Sequence, residues 1–248
     1  MASETVAATS ERTQSAPRQN ISEFRRELER LVEGRHLKNH PLYATWAQGK
    51  LSKKCMAGVM AESYHYASNI IPAFLLIASK APNDVIEMEL ENYADELSGD
   101  NPHPPLFLRF IKACGEDAEK VKNGRGLPST EMWTEWLWSL AKNLPWQAAV
   151  AAIHVGSEFQ APGTFNAILP ALREKYRFSE HDIEHFWLHA TADVRHSGSA
   201  FEVLERHCAT RELKDLVVRF VAESVRRRWF FMDCVYLHYE LGEFQSVR

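Results

Sequence analysis

The chain has 248 residues, which is enough for one large domain or two small ones. Hydrophobic residues make up 45% and charged residues 25% of the sequence, the balance of a soluble globular protein that can bury a core without disulfides. The net charge of −4 and the mixing of both signs argue against a nucleic-acid-binding surface, and no apolar run approaches the roughly 20 residues that span a bilayer. The unusual feature is eleven histidines, four of which lie between His181 and His196.

The first 20 residues are rich in Ser, Thr and Ala and lack the apolar segment of a secretory signal. We predict a disordered tail at 1–20, followed by one helical domain at 21–248. The cysteines lie far apart and form no CxxC pair, so we expect reduced, buried thiols in a cytoplasmic protein, at Cys55, Cys114, Cys208 and Cys234.

In the first half of the chain, apolar residues recur at helical spacing after the tail. The segment ISEFRRELERLVEGRH predicts an amphipathic helix, and HPLYATWAQGK predicts a short one. A long helix beginning near Leu51 should be divided or kinked by Pro72, because proline lacks the amide that a helix interior needs. The next helix begins after Pro82 and should stop near Gly99.

In the second half, the segment NPHPPLF is predicted to be a turn because of its three prolines. Ser129 is predicted to cap the next helix, and the one after that should be interrupted around Pro162 and Gly163. Two long helices complete the chain. No stretch alternates between apolar and polar residues, so we predict an all-α, single-domain helical bundle.

Potential metal ligands share one face of the helix that contains the histidine cluster. His189, Asp193 and His196 have the spacing i, i+4, i+7, which places them within about 60° of one another around the helix axis. The alternative is that this stripe of His189, Asp193 and His196 is a solvated face. It lies, however, outside the polar side of the helix that we assign to solvent, which is formed by Glu184, Arg195 and Glu202. It also borders an apolar arc that we assign to the core, formed by Ile183, Trp187, Ala190, Val194 and Phe201. Buried imidazoles and a carboxylate together indicate a metal site.

One helix cannot complete such a site, so further ligands must come from elsewhere. Glu158 follows an alanine-rich stretch, and Glu96 and His103 flank one predicted bend. Glu158 could instead be a buried carboxylate bonded to Arg or Tyr, and Glu96 a surface residue. His154 is interpreted as a packed core histidine. His185 could support or replace His189, while His181 should face solvent.

Three carboxylates and three imidazoles suit two divalent first-row metals, with iron or manganese preferred where thiolate is absent. Two such ions would bring a charge of +4 against −3 from the carboxylates, leaving the pocket near neutral. Carboxylate sites in helical bundles typically activate dioxygen.

The segments NHPLYATWAQGKLS, ELSGDNPHP, SEFQAP and HATADVRHSG resemble those of the haem-oxygenase-like diiron oxidases and oxygenases. This family shares its fold with thiaminase-II type proteins and the pyrroloquinoline-quinone-forming oxidase. The resemblance extends from about His40 to the C-terminus. It implies a haem-oxygenase-like fold, a homodimer, O2 as co-substrate and two Fe(II) ions. The ligands that it implies are Glu96, His103, Glu158, His189, Asp193 and His196.

Several branches of the fold require residues that this chain lacks. Thiaminase-type members use a cysteine near the segment of Glu158, and AAIHVGSEF contains none. Cofactorless quinone-forming oxidases lack the full last motif, and haem oxygenases need a glycine-rich distal helix. The para-aminobenzoate-producing branch uses a lysine about ten residues beyond the single Glu, where this chain has Ile168, so that branch is disfavoured.

The resulting prediction is a diiron enzyme that oxidises an amino-acid-like or amine-bearing metabolite by C–C cleavage, desaturation or N-oxygenation, with an external electron donor as a further partner. The resemblance suggests substrate contacts from Tyr43 and Tyr66, which could equally be core aromatics. Glu62 and His65 form an ExxH pair that could lie near the substrate or support the site, and we take His65 as a third candidate substrate contact. Of the arginines at 226–228, at most one can point inward. The alternatives are a fatty-acid oxidative decarboxylase, a cofactorless or one-metal enzyme, and a non-catalytic partner-binding bundle.

Overall fold

Helices account for the regular structure of residues 21–97 and 102–243, which are the residues that the computed structural model describes. The predicted tail and the predicted helix stop near Gly99 lie outside these residues. The α-helices are α1 (Glu23–Glu33), α2 (Pro41–Ala47), α3 (Lys53–Ile70), α4 (Ala73–Ala78), α5 (Asn83–Leu97), α6 (His103–Ala113), α7 (Ala118–Lys122), α8 (Pro128–Asn143), α9 (Trp146–Val150), α10 (Ala161–Glu174), α11 (Glu184–His207) and α12 (Arg211–Tyr236).

Short helices of other types connect or extend these elements. A π-helical turn at Ala151–Val155 continues α9, and a 3-10 turn at Glu158–Gln160 leads into α10. A 3-10 turn at Leu37–Asn39 precedes α2, and a second π-helical turn at Leu237–Leu241 extends α12. The prediction of an all-α bundle is confirmed.

Side-chain caps explain where several helices begin. The Ser22 and Ser52 hydroxyls accept hydrogen bonds from backbone amides three residues later, at the starts of α1 and α3. His40 caps α2 through Nδ1, and its Nε2 lies 3.0 Å from Asp233 Oδ1 on α12. The predicted division at Pro72 is confirmed, since α3 ends at Ile70 and α4 begins at Ala73.

Two predictions about the starts of helices are wrong. The segment NPHPPLF is not a turn throughout, because α6 begins at His103 and carries two prolines in its first turn. Amides of the first turn have no intrahelical partner, so proline costs little there. Ser129 does not cap α8, which begins one residue earlier at Pro128 with Leu127 at the cap position.

The interruption predicted around Pro162 and Gly163 lies earlier in the chain. The helical path changes at Gly156 and Ser157, and Pro162 sits in the first turn of α10. A Cβ atom on Gly156 would lie 2.4 Å from Ser224 Cβ, so glycine allows this turn to approach α12 closely.

The core lies between α12 and a ring of helices that includes α1, α3, α8 and the π-helical turn after α9. The long helix α11 packs on α10 and also contacts α5 and α6. All four cysteines are unpaired, and Cys234 alone is half-buried rather than buried, which agrees with the expectation of free thiols. None of the described helices has the length and apolar character needed to cross a bilayer.

Candidate metal centre

A cavity of about 90 Å³ lies in the middle of the bundle. Its polar end is formed by the predicted ligands Glu96, Glu158, His189 and Asp193. Most of the remaining wall is apolar and aromatic, with contributions from α2, α3, α4, α6, α10 and α11. The cavity therefore has a cluster of side chains that could bind metal at one end and an apolar wall beside it, as small-molecule sites commonly do.

Three predicted ligands converge at one point. Atoms of Glu96 at the end of α5, His103 at the start of α6 and His189 on α11 all lie within 4.8 Å of one another. His103 Nδ1 is 2.8 Å from Glu96 Oε2, yet it is a buried nitrogen without a hydrogen-bond partner in suitable geometry among the described residues. Such an orphaned nitrogen beside a carboxylate fits a shared cation.

The orientation of His189 supports the same interpretation. Its Nδ1 lies 2.8 Å from the carbonyl oxygen of His185, so Nδ1 carries the proton that is donated to that carbonyl. The Nε2 atom then has a free lone pair and lies 3.9 Å from Glu96 Oε1. A backbone hydrogen bond that fixes the tautomer in this way is typical of metal-binding histidines.

Asp193 and His196 occupy the next turns of α11. His196 Nδ1 lies 3.6 Å from Asp193 Oδ1, and its Nε2 lies 3.0 Å from Asp95 Oδ2. Burial would raise the pKa of Asp95, but the hydrogen bond with His196 and the charge of Arg195 outweigh it, so the pKa is lowered. For the buried Asp193, burial dominates and raises the pKa. A cation beside Asp193 would offset the free-energy cost of keeping this buried carboxylate ionised.

Glu158 is half-buried and belongs to a chain of three ionisable groups with His154 and Glu89, which are fully buried. Its Oε2 lies 2.6 Å from His154 Nδ1, and His154 Nε2 lies 3.1 and 3.2 Å from the two oxygens of Glu89. Burial would lower the pKa of His154, but the charges of Glu158 and Glu89 outweigh it and raise the pKa well above 6.5. The imidazolium thus forms a short contact with Glu158, which lines the cavity.

His185 packs beside the cluster without belonging to it. Its ring lies 4.1 Å from the ring of His189 and 4.2 Å from that of Phe107, measured between centroids. Burial and the neighbouring histidines lower its pKa well below 6.5, so it is neutral at physiological pH. His181, in contrast, is exposed as predicted.

The apolar arc assigned to the core of α11 is wrong in part. Ile183 and Phe201 are buried, but Trp187 is 37% and Val194 61% exposed. The inward face of α11 is the His/Asp stripe itself. The inward orientation of the stripe agrees with the prediction, whereas hydrophobicity alone misplaced Trp187 and Val194.

Of the residues predicted to contact substrate, Tyr43 and Tyr66 line the cavity. His65 does not: it lines surface grooves with Arg125, because it lies one residue before Tyr66 and so about 100° around α3. Glu62 does not support the site either. Its buried carboxylate accepts hydrogen bonds from the Leu127 amide, the Thr130 hydroxyl and the Tyr239 phenol, and ties α3 to the start of α8.

Two residues of the site were missing from the sequence-based set. Glu89 precedes Glu96 by seven residues and therefore shares its helix face, a spacing that could have identified it. Asp95 is not among the predicted ligands, and no local pattern in the sequence distinguishes it from other surface carboxylates. Its contact with His196 bridges 101 positions of sequence.

Comparison with known proteins shows which proteins this chain resembles. The chain is similar to the 4-aminobenzoate synthase of Nitrosomonas europaea, with 27% identity over 87% of this chain and 92% of that protein. It is also similar to the 4-chloro-allylglycine synthase of Streptantibioticus cattleyicolor, with 24% identity over 77% and 75% of the two chains.

Solved structures show the fold. A TenA homologue from Pseudomonas syringae pv. tomato superposes with a TM-score of 0.77 at 16% identity, covering 92% of this chain and 99% of the other. A domain with a haem-oxygenase-like fold from Shewanella denitrificans gives a TM-score of 0.74 at 22% identity, covering 90% and 95%. The model of a family described as iron-containing redox enzymes matches residues 58–229. Since that match spans well over half of the chain, this protein belongs to the iron-containing redox enzymes and has a haem-oxygenase-like fold.

Proposed function

We propose that this protein is an O2-dependent, non-haem diiron oxidoreductase that oxidises a small amino-acid-like or amine-bearing metabolite in a biosynthetic pathway. The observation that carries the proposal is the convergence of Glu96, His103 and His189 beside an apolar cavity. The geometry of these three ligands suits one iron. Glu158, Asp193 and His196 border the same cluster and would hold the second.

Two ferrous ions bound here would supply the electrons with which O2 is reduced. The chain's own residues prepare the ligands for that role. The His185 carbonyl fixes the tautomer of His189, Asp95 orients His196, and His154 holds Glu158. Each of these supporting contacts lowers the cost of ordering a ligand when metal binds.

The cavity walls select the substrate and exclude water from the reacting end. Phe107 and Phe165 flank the histidine cluster, and Phe74 and Ile70 continue the apolar wall. We favour an amino-acid-like substrate over a fatty acid, in keeping with the similarity to the 4-chloro-allylglycine synthase. Homodimerisation, a cytoplasmic location and an external electron donor remain predictions.

A second candidate is the formation of 4-aminobenzoate, which the similarity to the Nitrosomonas europaea synthase favours. Ile168 argues against it, since this position is apolar and fully buried where that branch is expected to have a lysine. Incubation of iron-loaded protein with O2 and an aromatic amino acid as the carbon source, followed by mass spectrometry for 4-aminobenzoate, separates the two candidates.

The proposal is tested by anaerobic reconstitution with Fe(II), iron quantification and O2-uptake measurements with amine-bearing amino acids. We expect close to two irons per chain and O2 uptake that a correct substrate accelerates. Asp193→Ala and His196→Ala should lose iron while keeping their helicity, whereas His181→Ala, at an exposed histidine, should keep its iron. Full iron content in both ligand variants would show that the ligand assignment is wrong.

A further inference from the structure

Arg228 is the one arginine of the run at 226–228 that turns inward. Arg226 and Arg227 are exposed and line a surface groove, and Arg227 also packs over the ring of Trp136 at 4.7 Å. Arg228 instead lines the central cavity. Three consecutive residues of a helix point about 100° apart, so only one of them can face the bundle interior.

The Arg228 side chain is half-buried, and two of its three guanidinium nitrogens are buried without a partner. Its Nε and Nη1 atoms are shielded from solvent, and neither has a hydrogen-bond partner among residues 21–97 and 102–243. No ion pair joins Arg228 to a carboxylate in these ranges. Buried donors of a charged group are costly when unpaired, which implies a partner that the folded chain does not supply.

Tyr66 lies between Arg228 and the cluster of candidate metal ligands in electrostatic terms, since it interacts with both. The guanidinium carbon lies 5.1 Å from the centre of the Tyr66 ring, on the cavity wall. Burial raises the pKa of Tyr66, the charge of Arg228 opposes that shift, and the charges of Glu158 and Glu96 reinforce it. The Tyr66 phenol therefore lies within electrostatic reach of both Arg228 and the carboxylates at the metal end.

We infer that Arg228 binds the carboxylate of the substrate, so that the rest of the molecule extends past Tyr66 toward the cluster of Glu96, His103 and His189. A guanidinium presents paired N–H donors that match the two oxygens of a carboxylate. This inference rests on the proposed function and narrows its substrate to small monocarboxylates. The carboxylate is held at Arg228 and is not a metal ligand, so the oxidised atoms belong to the opposite end of the molecule.

A purely structural role for Arg228 makes a different prediction. The guanidinium also packs over Phe231 at 5.2 Å, and such cation–π contacts stabilise a fold without any ligand. If that were its whole role, replacing Arg228 would lower the free energy of unfolding but would not change the preference for a carboxylate over a neutral ligand.

The test compares 4-aminobenzoate with its neutral counterpart 4-aminobenzamide, and benzoate with benzamide. Binding to the anaerobic, iron-loaded protein is measured by ligand-observed NMR and calorimetry for wild type, Arg228→Met, Arg228→Lys and the control Arg227→Met. Iron per chain is quantified in every sample. Arg228→Lys keeps a positive charge and serves as the test if Arg228→Met does not fold.

We expect wild type and Arg227→Met to prefer the carboxylates. Arg228→Met should lose roughly 10- to 100-fold of carboxylate affinity, as for a lost charge-assisted hydrogen bond, and should keep its amide affinity and its iron. The carboxylate affinity of Arg228→Lys should lie between those of wild type and Arg228→Met, because an ammonium cannot bind both carboxylate oxygens in the same geometry.

Unchanged carboxylate affinity in both Arg228 variants would overturn the inference, as would a wild type that does not discriminate between carboxylate and amide. If carboxylate binding instead disappears on removal of iron and persists in Arg228→Met, the carboxylate binds the metal. That result would refute the role of Arg228 while leaving the proposed function intact. If wild-type protein does not retain iron, the proposed function is wrong, and the carboxylate affinities of the iron-free wild type and Arg228→Met then test the role of Arg228: equal affinities would overturn it.

Discussion

Replacement of His154 by Gln is expected to perturb the fold and the candidate metal centre through separate contacts. His154 and Glu89 are both completely buried, and His154 Nε2 lies 3.1 Å from the nearer oxygen of Glu89. On the other side of the ring, Nδ1 lies 2.6 Å from Glu158 Oε2. The variant removes one positive charge from between two carboxylates while keeping a side chain that can form hydrogen bonds.

The first expected effect is on stability. Without the imidazolium, Glu89 becomes a buried carboxylate with no counter-charge, a change that costs about 3–5 kcal/mol. That loss is a large share of a typical unfolding free energy of roughly 5–15 kcal/mol. Burial already raises the pKa of Glu89, and the loss of His154 would raise it further. In the double variant His154→Gln/Glu89→Gln the buried charge is gone, so most of the lost stability should return.

The second expected effect is on iron. Glu158 loses the contact that orients it, and loss of such a contact typically weakens metal binding by roughly 10- to 100-fold. Because Glu89→Gln does not restore that contact, the double variant should regain stability but not iron affinity. The separation of the two effects distinguishes positioning of Glu158 from general damage to the fold.

Urea unfolding followed by circular dichroism measures stability, and competition with a chelator measures iron affinity. Glu91→Gln is the matched control, since Glu91 lies on the same helix but is exposed, and it should change neither quantity. If the single and double variants are equally stable to within about 0.5 kcal/mol, the uncompensated charge is not the cause. If His154→Gln binds iron as tightly as wild type, His154 does not position Glu158.

Three further predictions follow from other contacts. Asp95→Asn should weaken iron binding by roughly 10- to 100-fold in chelator competition without unfolding the protein, because Asp95 orients His196; unchanged affinity would show that the contact is incidental. Burial lowers the pKa of His36 from 6.5 to about 4, so the folded state excludes a proton that the unfolded state takes up. The free energy of unfolding should fall by about 3 kcal/mol as the pH drops from 6.5 to 4. In urea titrations the variant His36→Asn, which can still cap the 3-10 turn at Leu37–Asn39, should lose this pH dependence. Identical pH profiles of wild type and variant would refute the role of His36. Gly156→Ala should lower the free energy of unfolding by about 1–3 kcal/mol, measured by thermal unfolding, because the new methyl group clashes with Ser224. The double variant Gly156→Ala/Ser224→Gly should recover part of that loss, and a double variant that recovers none would show that the clash is not the cause.

The local pattern of residues was sufficient for most of the helices. Apolar spacing located them, and Pro72 divided α3 from α4 as expected. The prediction failed at His103, where prolines that were taken as helix breakers occupy the first turn of α6. The effect of proline depends on its position within a helix, and composition alone does not reveal where the helix starts.

The same division applies to the metal centre. The spacing of His189, Asp193 and His196 placed these three side chains on one face of α11, because the period of a helix is a local property. The pattern also indicated that this face is buried, but it misplaced Val194, which was expected in the core and is 61% exposed. In α11, polar residues are buried and some apolar residues are exposed, the reverse of the usual pattern. Only the packing of α11 against other helices reveals this arrangement.

The amino-acid sequence by itself determined the fold class, the helix spacing and the identity of six candidate ligands, since each depends on local periodicity and on recognisable motifs. Tertiary structure alone decided which groups support them and what the cavity can bind. Asp95 reaches His196, Glu89 reaches His154, and Arg228 enters the cavity without a partner. These contacts join residues far apart in the chain, and their geometry depends on how whole helices pack. Eleven histidines signalled unusual chemistry, and the packing of α5, α6 and α11 places two of them beside Glu96.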